Sequence, residues 1–183
     1  QSLGLWVSTH LSENTFECEE AKRLFGTKDY LQVYEDAGLL GPTSVFAHCI
    51  HLSDPEIARF KNAGAVIAHC PDSNVFLGSG GMPIAKLQSE GVPIAMGTDV
   101  AGGRSFRIPH ALSRAYDNAL ATGSSLSLAE LLWMGTRGGA LALGKPHLGM
   151  ISEGFHADCL LIDRPDWATT PEQILARLIF FAE

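Results

Sequence analysis

The chain has 183 residues, 46% of them hydrophobic and 18% charged, with a formal net charge of −7 at pH 7. That is enough apolar material for one well-cored domain, and an acidic balance without any run of Lys or Arg argues against a nucleic-acid or anionic-membrane surface. No apolar stretch reaches the roughly 18–20 residues of a membrane span. The first residues carry no basic region of the kind that opens a signal peptide. Cys18, Cys49, Cys70 and Cys159 form no CxxC pair, and two of them follow a histidine inside apolar runs. That usage suits reduced, buried thiols and a cytoplasmic protein. The first residue is Gln1 rather than Met, as expected of a fragment.

In chain order, Leu5-Trp6-Val7-Ser8-Thr9-His10 reads as a short buried strand that delivers a histidine to its C-terminal end, with Glu13 three residues on. Side chains alternate along a strand, so residues 10 and 13 share one spot only if the chain turns at Leu11-Ser12. Helical patterns follow over residues 15–25 and 29–37. Thr43-Ser44-Val45-Phe46-Ala47-His48 is a second apolar run ending in His, and Ala65-Val66-Ile67-Ala68-His69 is a third. Between them, Ser53 and Glu56 form a capping box that opens a helix to residue 63. A helix over 83–90 leads to Val92-Pro93-Ile94-Ala95-Met96-Gly97-Thr98-Asp99, a fourth run, ending in Asp. Gly38, Gly41-Pro42, Gly64 and Gly91 supply helix-stop signals before the later runs. Residues 107–121 form an amphipathic helix with Leu112, Tyr116 and Leu120 on one face. Ser127 caps another, to about residue 143.

Alternating strands and helices leave a doubly wound sheet or a (β/α)8 barrel. A barrel spends about 30 residues per βα unit and places its chemistry at C-terminal strand ends. The polar strand ends at His10, His48, His69 and Asp99 fit that spacing. The expected fold is α/β: the second half of a (β/α)8 TIM-like barrel over residues 1–144. Residues 145–183 are expected to begin a small β-sandwich segment, with Ala157-Asp158-Cys159-Leu160-Leu161-Ile162-Asp163 as a strand and residues 171–182 as a terminal helix.

Imidazoles and a carboxylate at neighbouring strand ends are suited to a divalent metal, above all zinc, although the donor set also suits iron. Asp99 could ligate the metal and accept a proton from water, His48 could orient that water, and Glu13 could shuttle a proton to substrate and leaving group. His51 makes an HxxH with His48 but begins a loop, where a structural role is expected. His110, His147 and His156 lie in helix or loop contexts and are expected to be surface or satisfied polar groups. Ser73-Asn74 and Gly102-Gly103-Arg104 follow strand ends and could line a pocket, or form ordinary turns.

His10-Leu11-Ser12-Glu13-Asn14, Ala47-His48-Cys49-Ile50-His51-Leu52, Ala68-His69-Cys70-Pro71-Asp72-Ser73-Asn74 with Leu77-Gly78-Ser79-Gly80, and Gly97-Thr98-Asp99-Val100-Ala101-Gly102-Gly103 occur in this order. The set resembles the later half of an amidohydrolase-superfamily deaminase, and its fine detail resembles the guanine-deaminating branch. The resemblance covers nearly the whole chain. It implies that His10 is the fifth-strand metal ligand and Asp99 the eighth-strand ligand and base. His48 is then the sixth-strand histidine that positions the hydrolytic water, and Glu13 the proton shuttle. His69 and Asn74 match the seventh-strand motif and are expected along the substrate pocket. The implied reaction is hydrolysis of guanine to xanthine and ammonia, by a homodimer when full length.

One departure stands out. The family's first strand carries an HxH pair that supplies two ligands, and no HxH occurs in these 183 residues. A catalytic zinc site takes three protein ligands and a water, so this chain alone is expected neither to hold zinc tightly nor to turn over guanine. Its open strand edges should make it prone to aggregate. The alternatives are an aminohydrolase of triazines, adenosyl compounds or oxidised guanine, and a non-catalytic scaffold subunit, although a scaffold has no use for Glu13 beside a ligand histidine. The absent H-x-E and P-C-x-x-C patterns disfavour a cytidine-type deaminase, and the absent GxGxxG disfavours a dinucleotide enzyme.

Overall fold

A computed structural model describes residues 4–181 of the chain. Four strands, β1 (Val7–Leu11), β2 (Ser44–His48), β3 (Val66–His69) and β4 (Ile94–Met96), form a sheet in the order β1-β2-β3-β4. Every neighbouring pair is parallel. Parallel neighbours need crossover connections, and helices supply them: α1 (Thr15–Phe25) and α2 (Tyr30–Asp36) after β1, α3 (Asp54–Asn62) after β2, α4 (Pro71–Phe76) and α5 (Ile84–Ser89) after β3. Beyond β4 come α6 (Ile108–Ala121), α7 (Leu128–Gly135), α8 (Arg137–Ala142) and α9 (Pro171–Phe180). The result is four consecutive units of a partial (β/α)8 barrel, as the strand-end spacing predicts.

Local chemistry starts these helices where the sequence signals it. The Asn14 side chain accepts the Glu17 N–H at 2.8 Å to open α1, and Asp29 accepts from Gln32 N at 2.9 Å to open α2. The Glu56 carboxylate accepts the Ser53 N–H at 2.9 Å at the start of α3. Each contact satisfies a backbone donor that a helix terminus leaves free.

The core lies where the strands meet their helices. Phe46 on β2 is fully buried between Tyr34 of α2 and Phe60 of α3, with ring centroids 5.0 and 5.5 Å away, both edge to face. Leu31, Ile67, Met82, Ile84, Leu87, Leu112 and Leu131 continue the same buried cluster. On the surface above it, Arg59 of α3 clamps α2, donating to Glu35 at 2.5 Å and to Asp29 at 2.6 Å.

The structure departs from the sequence reading in three places. Residues 71–76, where only Ser73-Asn74 carried a reading, as pocket lining or an ordinary turn, form α4, with Pro71 in its first turn, where proline's missing N–H costs nothing. The single helix expected over 127–143 is two, α7 and α8, broken at Thr136 (φ −133°, ψ −100°). Gly138 lies at that break, where a Cβ would stand 2.6 Å from Cδ1 of Trp133. Residues 157–163 form no strand, and Leu160 and Leu161 are 78% and 98% exposed. A strand needs a neighbour for its backbone hydrogen bonds, and no described residue pairs with this segment. The end of the expected terminal helix, at residue 182, lies outside the described residues. Among the described residues, no helix is long and apolar enough to cross a membrane.

Phe46 generates a direct test. Phe46→Ala is expected to lower unfolding free energy by about 3–5 kcal/mol, because a buried aromatic leaves a cavity between two rings. Phe16→Ala, at a position 78% exposed, should change it by less than about 0.5 kcal/mol. Urea denaturation followed by circular dichroism reads both.

Candidate active site

The parallel register sets the C-terminal strand ends side by side, with Leu11 opposite His48 and His69 opposite Met96. At three of these ends the backbone leaves the sheet through a non-glycine residue with positive φ: Ser12 (49°), His48 (72°) and Asp99 (49°). The kink at Ser12 is the turn that the first motif requires. It lets Glu13 fold back over the sheet end instead of pointing away from His10.

The side chains converge. One ligand atom each from His10, His48 and Asp99 lies within 4.8 Å of the others. The imidazoles of His10 and His48 stack with centroids 5.2 Å apart and planes 14° from parallel. His10 is exposed, Asp99 half-buried and His48 buried. Glu13 completes the group, with Oε2 3.7 Å from His48 Nε2.

Each member is fixed by a partner. Tyr34 of α2 donates its hydroxyl to the His10 carbonyl at 2.9 Å, anchoring the end of β1. Nδ1 of His48 lies 2.7 Å from Oδ1 of Asn74. An amide oxygen only accepts, so Nδ1 carries the proton and Nε2 presents its lone pair to the cluster. That lone pair faces the Glu13 carboxylate, which also only accepts, and His48 Nε2 has no hydrogen-bond partner among the described residues. Ligands around a tetrahedral divalent ion sit about 2.0–2.2 Å from it. The three-donor cluster and the orphaned Nε2 fit a cation of that kind.

Asp99 is held by its own loop. Gly103 N–H donates to the Asp99 carbonyl at 2.5 Å. A methyl group at Gly103 would collide with the Thr98 carbonyl oxygen, and one at Gly102 would lie 2.9 Å from Asp99 Oδ2. Glycine is therefore required at both positions to pack the loop beneath its own carboxylate.

His69 and Asn74, expected along the substrate pocket in a supporting role, are fully buried. Asn74 spends its amide oxygen on His48, which places it behind the site rather than on an open wall. Burial pushes the His69 pKa down to about 3, so its ring stays neutral at ordinary pH. His51 donates Nε2–H to the Ser79 carbonyl at 3.0 Å. His110, expected at the surface or satisfied, lies with Nε2 3.3 Å from Asp72.

Asp72 is the residue the sequence reading missed. It is 4% exposed at the side chain and receives the Arg104 backbone N–H at 2.7 Å and guanidinium contacts at 2.5 and 3.1 Å. Arg114 approaches from α6 at 3.8 Å. Burial raises the Asp72 pKa, but hydrogen bonds from the Arg104 side chain and backbone, with His110, outweigh it and hold the carboxyl at about 2. The contact ties α4 to the segment that follows Asp99. Arg104, read as either lining a pocket or belonging to an ordinary turn, serves as this tether. A larger cleft of about 560 Å³, lined by Val92, Ile94, Trp133 and Met134, lies at the start of β4, away from the strand ends.

Residues 1–182 match the Amidohydrolase family. A guanine deaminase of Escherichia coli K12 is 39% identical over 160 residues, covering 86% of this chain and 36% of that protein. The solved structure of E. coli guanine deaminase superposes with a TM-score of 0.78 at 39% identity, over 80% of this chain and 35% of that one. An adenosine deaminase from Xanthomonas campestris with bound zinc superposes with a TM-score of 0.87 at 29% identity, over 98% of this chain and 42% of that one. The chain spans little more than a third of the length of the curated relatives it matches.

The Asp72 tether predicts an acid-labile fold. Its pKa is about 2 in the folded chain and about 3.9 when unfolded. Its stabilisation is therefore fully present above about pH 4 and is lost as pH falls towards 2. Asp72→Asn should be less stable than wild type at pH 7, and the gap should close across that window. Thermal melts at half-unit pH intervals measure it, and a pH-independent gap would contradict the assignment.

Proposed function

The chain belongs to the amidohydrolase family, and from that premise we propose that it is the later part of a metal-dependent guanine deaminase, converting guanine and water to xanthine and ammonia. The observation that carries the reading is the convergence of His10, His48 and Asp99 within 4.8 Å, with Glu13 3.7 Å from His48. The 39% identity to a guanine deaminase over 86% of the chain supports the substrate.

His10 and Asp99 hold a divalent ion in this proposal, zinc by donor preference and iron as the other candidate. The remaining ligands come from outside these 183 residues. When bound, the ion supplies the Lewis acidity that brings the pKa of water towards about 7. The chain's own residues manage the protons. Asp99 accepts one from the attacking water. His48, its Nδ1–H committed to Asn74, directs its Nε2 lone pair at that water and orients it. Glu13 delivers its proton to the purine ring nitrogen beside the amino-bearing carbon, takes up the proton of the added hydroxyl and passes it to the departing amino group, so that the C–N bond breaks, ammonia leaves and the carbonyl of xanthine forms; the proton held by Asp99 then restores Glu13. His69 and Asn74 support the pocket from beneath rather than touching the purine. The working enzyme is proposed to be a cytoplasmic homodimer acting on a small purine, with no nucleic-acid or membrane partner.

A second reading keeps the chemistry and changes the ring. The superposition on an adenosine deaminase runs over 98% of this chain, at a TM-score of 0.87, which favours an adenosine-type amine as the alternative substrate.

The test uses the protein with its whole chain. Guanine should be consumed with release of equimolar ammonia, whereas adenosine should react at least about 100-fold less efficiently, as expected where polar groups built for one ring go unpaired with another. Glu13→Gln and Asp99→Asn should each lower kcat by about 10²–10⁴-fold, the usual worth of a positioned proton carrier. Preferential turnover of adenosine would select the second reading. Turnover of neither, by metal-loaded protein, would leave a scaffold.

A further inference from the structure

Glu13 must present one carboxylate oxygen to the reacting atoms and keep the other occupied, and the structure supplies the device. Ser79 Oγ donates to Glu13 Oε1 at 3.1 Å, leaving Oε2 as the oxygen that faces His48. The two residues are 66 positions apart, so the contact exists only because the loop after α4 is carried back over the end of β1. That loop is itself fastened. The Asn74 carbonyl accepts the N–H of Ser79 at 2.8 Å and of Gly80 at 3.3 Å. His51 donates Nε2–H to the Ser79 carbonyl at 3.0 Å from the far side. Gly78 and Gly80 have φ of +76° and +119°, conformations that side-chain-bearing residues rarely adopt.

We propose that Ser79 is a positioning residue for Glu13, and that His51 acts one step further out by holding the Ser79 backbone in place. The inference rests on the deaminase reading above and adds to it the groups that aim the proton carrier. Without the Ser79 hydroxyl, the Glu13 carboxylate can rotate, and the fraction of time Oε2 points at the reacting atoms falls. Substrate contacts are unchanged, so the loss belongs in kcat rather than KM.

The experiment uses the whole-chain, metal-loaded enzyme with guanine. Ser79→Ala is expected to lower kcat about tenfold with KM within about twofold, and Ser79→Thr, which restores the hydroxyl, should recover most of the loss. In a Glu13→Gln background, Ser79→Ala should cost nothing further, because a residue acting through another is non-additive with it. His51→Phe should show a smaller kcat loss of the same kind. Wild-type kcat in Ser79→Ala, a Ser79→Thr variant no better than Ser79→Ala, or an additive double variant would each overturn the proposal. Wild-type activity in Glu13→Gln would instead remove the deaminase reading on which it rests. Ser79 is half-buried on a loop, and a thermal melt of each variant separates loss of fold from loss of aim.

Discussion

The site depends on backbone turns that an L-residue resists. Ser12, His48, Cys49 and Asp99 all sit at positive φ, at a cost of about 1–2 kcal/mol per residue. His and Asp enter that conformation more readily than most side-chain-bearing residues, yet it remains uncommon for them. The neighbouring loops hold it: Cys49 N–H donates to the Leu11 carbonyl at 2.9 Å, Ile50 and His51 N–H to the Ser12 carbonyl at 3.0 and 3.2 Å, and Gly103 N–H to the Asp99 carbonyl at 2.5 Å. The loops after β1 and β2 thus lock one another. Strain of this kind persists only where surroundings over-determine the geometry, and here it turns side chains from separate strands onto one spot.

The short stretch from Cys70 to Gly80 binds the arrangement together. Asp72 takes hold of Arg104, just past the Asp99 loop. Asn74 fixes the tautomer of His48. Ser79 holds Glu13. One segment thereby reaches the loops of three other strands, and none of its three side chains belongs to the cluster of donor atoms. Helix α4 makes this possible by presenting Asp72 and Asn74 in a buried turn between the end of β3 and the glycine-flanked Ser79 loop.

That division explains what could be read in the sequence. His10, His48, His69 and Asp99 were visible because each closes a short apolar run and the runs recur at barrel spacing, a local pattern. The Ser12 turn was visible as a requirement of the Glu13 chemistry. Asp72 was not, since its partners Arg104, His110 and Arg114 are brought to it only by folding, and a Pro-Asp after a strand looks like a turn. Helix α4 also escaped notice, because six residues are too few to show a helical period. The apolar run at 159–162 misled in the opposite direction: it has strand composition, but no described neighbour pairs with it, and composition cannot supply a pairing edge. The break between α7 and α8 falls at Thr136, where no periodicity marks it.

Electrostatics bears on what the cluster is built to hold. Glu13 and Asp99 bring two formal negative charges to the same strand-end cluster. Among the described residues, no Lys or Arg forms an ion pair with either, although Asp72, in the same region, has Arg104 and Arg114 within 4 Å. The fold therefore has arginines at hand and directs them to the structural carboxylate, not to the pair at the strand ends. Two carboxylates beside an imidazole lone pair repel in a partly buried setting, where screening by water is weak. A cation of charge two would relieve that repulsion, and a water held beside it would give the orphaned His48 Nε2 a donor. His10 and Asp99 provide fewer ligands than the three that a catalytic zinc site takes, while Glu13, His48 and their supports Ser79 and Asn74 lie wholly within this chain. The proton-handling groups of the proposed chemistry thus lie together in this chain, while the proposed metal site asks for more ligands than His10 and Asp99 supply.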